Sequence, residues 1–346
     1  MAYTTIPKPT DYFNTKLYSG NGGTQTITGV SFEPDWTWIK NRNAGEHHVL
    51  TDVVRGANKQ LRTNGNAAQG TLTTQLTGFT SDGFSVGAGS EVNNGSQTYA
   101  SWNWKANGQG SSNTAGTINS TYTSANTTSG FSIVQYTGNA SQAQTVGHGL
   151  GVAPKLIIFK SLTTTDDWSV CCPSVLGVDG RLTLNSSAAN SVGDNTFWNS
   201  TAPSSTLFSL GNNSRANASG ATIIAYCFAD VQGFSKIGSY TGNGNDNGTF
   251  VYTGFKPAYV LAKRTNGSYK WLISDNKRNP SNSVQQYLSA EYADADASGL
   301  DLDFLSNGFK LRTTDAQRNA SGSPYLYMAF AKEPLVSTNG VPATAR

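Results

Sequence analysis

The sequence predicts an all-β protein of three tandem β-sandwich domains, jelly-roll or lectin-like, of about 100 residues each. The first observation is repetition. Tyr18-Ser-Gly-Asn21, Tyr136-Thr-Gly-Asn139 and Tyr240-Thr-Gly-Asn243 each open a stretch with the same landmarks. A proline follows (Pro34, Pro154, Pro257), then a lysine six residues on (Lys40, Lys160, Lys263) and, eight residues beyond that, His48, Trp168 or Trp271. The second observation is texture: short runs rich in Val, Ile, Thr, Tyr and Trp alternate with Gly/Asn/Ser/Asp clusters, and helical periodicity is nearly absent. The third is an aromatic strand closing each copy at Trp102–Trp104, Tyr226–Phe228 and Met328–Phe330, set 20, 20 and 21 residues after Phe84, Phe208 and Phe309.

The elements follow in order. Residues 1–10 form an N-terminal arm with too little apolar content to fold alone. Copy one spans 11–106, copy two 130–230 and copy three 231–333, each starting with a strand led by Phe13, Phe131 or Phe234 and ending in the Tyr-x-Gly-Asn turn. The post-proline strands, such as Leu156-Ile-Ile-Phe159 and Tyr259-Val-Leu-Ala262, are apolar on both parities, which predicts central strands covered on both faces. The later strands Phe84-Ser-Val86 and Phe309-Lys-Leu311 alternate, which predicts one wet face. Residues 107–129, rich in Gly, Ser, Thr and Asn, read as a flexible linker, whereas only 230–232 separates copies two and three. That predicts a rigid pair with copy one on a looser tether. Residues 334–346 form a C-terminal tail outside the repeats.

Composition narrows the function. Only 13% of residues are charged, with a net charge of +3, about half the usual ~25%. The 24 Lys and Arg form no basic stripe, which argues against nucleic acid as a partner. No apolar run is long enough to insert in a membrane, and the N-terminus has no signal-peptide pattern. Cys171, Cys172 and Cys227 give an odd count and read as buried small hydrophobes made in a reducing cytoplasm.

Candidate sites are few. If the post-proline strand and the next form a hairpin, Lys160 faces Trp168 and Lys263 faces Trp271, a cross-strand cation–π pair, while copy one offers His48 to Lys40. A tryptophan platform for a sugar is the functional alternative, and a framework role is the plainer one. In Gly193-Asp-Asn-Thr-Phe-Trp-Asn199, Phe197 and Trp198 sit between Asn195 and Asn199 in a loop special to copy two. It is the candidate glycan-binding loop, with a staple folded onto its own domain as the alternative. Asp294-Ala-Asp296 copies the start of a calcium loop, but Leu305 stands where a bidentate Glu is needed. No hydrolytic triad, carboxylate pair or phosphate loop is legible, so the expectation is a non-enzyme with neither cofactor nor metal.

Several of these segments carry a resemblance: Tyr12-Phe-Asn-Thr-Lys-Leu-Tyr18, Gly29–Arg42, Val54-Arg-Gly-Ala57, Ser101-Trp-Asn-Trp-Lys-Ala106, Gly147–Lys160 and Glu333–Arg346. Over almost its whole length the chain resembles a family of tailed-bacteriophage virion proteins, frequent in phages of marine bacteria and cyanobacteria. The resemblance implies a virion structural protein: a tail fibre or receptor-binding appendage for host attachment. The alternative is a capsid-surface decoration or head fibre protein, with a polysaccharide depolymerase behind both. It implies virion localisation, other virion proteins as partners, a homo-oligomer on the particle and a host surface glycan as target. It brings no catalytic residues. Copy two departs from the Val-Arg-Gly pattern, reading Val175-Leu-Gly177.

Overall fold

In each copy the aromatic and β-branched runs become one antiparallel sheet, whose four recurring strands keep a single order: opening, closing, post-proline, return. In copy one these are Phe13–Ser19, Thr98–Trp104, Trp36–Asn41 and Val49–Asp52. In copy two they are Phe131–Thr137, Thr222–Phe228, Leu156–Ser161 and Ser169–Cys171, and in copy three Ser235–Thr241, Pro324–Pro334, Phe255–Arg264 and Trp271–Asp275. The computed structural model describes residues 3–336 and 339–342; the remainder of the arm and of the tail lies outside them. A smaller sheet backs each main one: Gln25–Thr28, Gly83–Val86 and Leu76–Thr80 in copy one, Gln144–Gly147 and Leu207–Leu210 in copy two, and Phe250–Tyr252, Gly308–Leu311 and Leu302–Leu305 in copy three. The chain is all-β and sandwich-like, as its repeats predict. Copy three is offset by one residue at its start: Ser235, not Phe234, stands opposite Phe330, where Phe13 faces Trp104 and Phe131 faces Phe228.

The Tyr-x-Gly-Asn turn recurs because it closes one hydrogen-bond set. The hydroxyls of Tyr18, Tyr136 and Tyr240 donate to the carbonyls of Val92, Ala216 and Arg318 at 2.8, 2.6 and 2.9 Å. The backbone N–H of Asn21, Asn139 and Asn243 donates to the side-chain oxygen of a buried asparagine: Asn93, Asn217 or Asn319. The glycine between them has no room for a side chain. A Cβ at Gly20, Gly138 or Gly242 would lie 2.1, 2.4 or 2.3 Å from a carbonyl oxygen of the facing loop.

The post-proline strands are buried at nearly every position, and their two parities serve two cores. Ile157 and Phe159 face copy two's own core between its sheets, while Leu156 and Ile158 face a second one. Val260 and Ala262 against Tyr259 and Leu261 divide the same way in copy three, as do Ile39 against Trp36 and Trp38 in copy one. That second core is common to all three copies and holds six of the seven tryptophans. At its middle the closing aromatics form a triangle, with centroid distances of 6.5 Å for Trp104–Phe228, 6.1 Å for Phe228–Phe330 and 5.7 Å for Trp104–Phe330. The three sandwiches thus stand around a pseudo-threefold axis.

This arrangement corrects the expected joints. Copy one is not loosely tethered, since Trp36, Trp38, Trp102 and Trp104 are all in the common core. Nor is 107–129 a flexible linker: Ser120–Asn126 forms a strand that pairs with Phe131–Thr137 as a hairpin on the edge of copy two's sheet. Its Ser/Thr content conceals a strand. The arm, too poor in apolar residues to fold alone, folds onto copy three. Ile6 is fully buried in the common core, Thr4 Oγ1 donates to Gln232 O at 2.8 Å and Tyr3 OH to Gly254 O at 2.7 Å.

Candidate functional site

The recurring lysines lie in hairpins, and the residues opposite them, Trp168, Trp271 and His48, reach the joints between copies. In register, Lys263 stands opposite Trp271, and the pairs Phe159–Ser169 and Ile39–Val49 bring Lys160 beside Trp168 and Lys40 beside His48. The hairpin is as expected; the cation–π contact is not what it builds. Each lysine is buried, and its ammonium ties down the hairpin loop through carbonyls. Lys40 donates to Asn41 O and Ala44 O at 2.7 and 3.1 Å, and Lys160 to Ser161 O at 2.7 Å. Lys263 donates to Arg264 O, Gly267 O and, in copy two, Ser187 O at 2.7, 3.2 and 3.1 Å. Burial pushes all three pKa values down to about 8, above neutrality, so each remains charged at pH 7.

The rings opposite are turned into the common core and reach the preceding copy instead. Trp168 Nε1 donates to Arg62 O and Gly65 O of copy one at 3.0 and 3.2 Å, and Trp271 Nε1 to Thr183 O of copy two at 3.0 Å. His48 does the same toward copy three. Trp38 Nε1 donates to its Nδ1 at 2.9 Å, which fixes the proton on Nε2, and this donates to Tyr292 O at 3.1 Å. Burial, helped by the Lys40 charge, holds His48 below its usual pKa, consistent with that neutral tautomer. One backbone bond per joint repeats the pattern: Gln69 N to Leu162 O, Asn190 N to Thr265 O and Asp296 N to Arg42 O, at 3.0, 2.8 and 2.9 Å. The joints run one to two, two to three and three to one, closing a ring.

A buried acid twelve residues after the lysine reinforces two joints. Asp52 pairs with Arg55 and accepts from Tyr226 OH of copy two at 2.7 Å; Asp275 pairs with Arg278 and accepts from Trp102 Nε1 of copy one at 3.1 Å. Copy two has Cys172 and Val175 at these positions, and the strand position matching Trp102 and Tyr226 is Met328. Acid, arginine and polar donor have been replaced together by apolar groups, which explains why the Val-Arg-Gly pattern is missing there.

Burial and pairing account for three further features of the sequence. Phe197 and Trp198 lie in a short helix, Asn195–Trp198, and are 2% and 1% exposed. Trp198 packs on Phe159 at 4.8 Å and donates to Gly180 O, and Arg181 covers the Phe197 ring. The loop is a staple, and the ring faces a sugar would need are covered. Asn199 adopts a left-handed conformation ending that helix, and its Oδ1 accepts from Gln142; the Asn195 carbonyl takes the Asn199 N–H. Asp296 is held by Arg42 and Arg278 at 2.7 and 2.8 Å. The three cysteines are buried and free. Sequence reasoning missed Asn93, Asn217 and Asn319, although each lies eleven residues before its closing aromatic. It also missed the acid–arginine pairs, whose partners lie in another copy.

One buried contact within copy three, between Glu291 and the backbone of Trp271, is sensitive to pH. Glu291 accepts the Trp271 N–H on both oxygens at 3.1 Å, and burial raises its pKa from 4.5 to about 7. A raised carboxyl pKa contributes stability below about 4.5 and loses it as pH rises through 7. Glu291→Gln should therefore gain on the native chain across that window, by up to roughly 3 kcal/mol. Denaturant melts of both proteins at the two ends check this; parallel pH profiles would refute it.

No curated protein and no solved structure matches the chain. A single family model covers residues 8–334, all three copies as one unit, and the chain belongs to the family described as "Domain of unknown function (DUF7483)".

Proposed function

We propose that this protein is a non-enzymatic structural component of a tailed-bacteriophage virion, a short globular tail fibre or receptor-binding appendage. The observation that carries the reading is the closed ring. The polar groups that recur in every copy are engaged in closing its turns and hairpin loops, the rings opposite the lysines hold the copies together, and the interior is an aromatic core rather than a cleft lined by paired acids and bases. A rigid body with an uncharged polar surface keeps its shape and contacts over a wide range of ionic strength. The resemblance to virion proteins along nearly the whole chain points to the particle. The pseudo-threefold shape supports a second reading, a capsid-surface decoration or head fibre protein, because it can seat on a threefold position.

Quantitative mass spectrometry of purified particles should find the chain in fixed stoichiometry, and an antibody against it should reduce host adsorption. Labelled antibody on capsids rather than tails would favour the decoration reading. Absence from particles, or release of reducing sugar from host polysaccharide by the isolated protein, would overturn the proposal.

A further inference from the structure

The three joints are alike in backbone but not in what fills them. At the joint of copies three and one, Asp296 bridges Arg42 and Arg278 and closes the space with charge. The equivalent positions at the joint of copies one and two are Gln69, Leu162 and Arg55, so the bridging acid and one arginine are gone. A solvent-open cavity of about 420 Å³ remains there, within the range of about 300–1,000 Å³ typical of small-molecule sites. The strand Ser120–Asn126, without a counterpart in the other copies among the described residues, adds a wall with Tyr122, while Gln109 comes from the connecting segment and Gln135 from the opening strand.

The lining selects the ligand. Among the described residues, the side-chain polar atoms of Gln109, Tyr122 and Gln135 meet no partner within the chain. Two amides and a phenol thus present donors and acceptors to the cavity. The nearest charge is already matched: Arg55 is paired with Asp52, and its remaining N–H groups go to Leu50 O, Lys59 O and Gln69 Oε1. No unpaired cation is left for a phosphate or carboxylate, and the polar lining is wrong for an apolar guest. We infer that the cavity between copies one and two binds an uncharged, hydroxyl-rich ligand, a hexose residue of a surface glycan, through Gln109, Tyr122 and Gln135. This deepens the attachment reading and rests on it for the ligand's source. Binding by the isolated protein and presence on the particle are separate measurements, so one can fail without the other.

The test titrates the full chain with methyl glycosides of glucose, galactose, mannose and N-acetylglucosamine, and separately with inorganic phosphate, by ligand-observed NMR. Saturable binding of at least one glycoside is expected, with a Kd on the order of 1 mM. Gln135→Ala and the exposed Gln109→Ala should each weaken it about tenfold without moving the melting temperature. Exposed Thr165→Ala, outside the cavity, should leave it unchanged. No saturable binding of any glycoside, equal binding in both cavity variants, or binding of phosphate in place of the sugars would each overturn the assignment.

Discussion

Trp104→Ala is expected to destabilise all three copies together, by about 3–5 kcal/mol. Trp104 is 1% exposed and touches ring systems from every copy: Phe13 and Trp36 of its own at 5.0 and 4.3 Å, Phe228 of copy two, and Tyr259 and Phe330 of copy three. The cavity left by an indole cannot be refilled by one neighbour, because three sheets converge on it. The transition should stay single, with calorimetric and van't Hoff enthalpies in agreement for the whole chain. A variant in which copy one melts first while copies two and three retain their near-ultraviolet signal would show that the common core does not couple them.

The second large effect is electrostatic. Arg55→Val leaves the Asp52 carboxylate fully buried with only the Tyr226 hydroxyl and the backbone N–H of residue 55 as partners. Stranding one half of a buried pair costs about 3–5 kcal/mol. Copy two shows the remedy, with Cys172 and Val175 at these positions and Met328 where the polar donor would stand. Asp52→Cys and Tyr226→Phe added to Arg55→Val should recover most of the loss, since removing every polar partner is far cheaper than removing one. Urea midpoints of the single and triple variants decide it. A triple variant no more stable than the single would mean that the arginine stabilises by packing rather than by charge.

What the sequence made legible was local. The six- and eight-residue intervals gave the hairpin register, and the two-parity apolar strands were central and covered on both faces. What covered the second face was not legible, because periodicity reports burial without naming the partner. The same blindness explains the lysines: a register places Lys160 beside Trp168 but does not say that the ammonium turns to a carbonyl while the ring crosses to Arg62. Ser120–Asn126 was hidden by Ser and Thr, which suit linkers and strands alike. In the Phe197–Trp198 segment, polar neighbours suggested a wet loop, yet Asp194 caps a helical turn that folds both rings inward. The cavity at the first joint could be found only by aligning joints rather than copies, with Gln69 and Leu162 standing where Asp296 and Arg42 stand.

The aromatic triangle also sets the order in which a growing chain can be finished. A nascent polypeptide that has emerged only through copy two has Trp104 and Phe228 without Tyr259 and Phe330 to cover them. It shows water a broad aromatic face, the kind of surface that drives aggregation of unfinished chains. Copy three brings the missing rings, Tyr259 on Phe255–Arg264 and Phe330 on Pro324–Pro334, and the latter strand ends beside Thr4, across most of the described residues. Closing contacts of such high sequence separation is slow. Synthesis of this protein therefore carries a sticky interval that ends once copy three is made, and a product truncated within copy three is expected to be insoluble rather than a smaller working version.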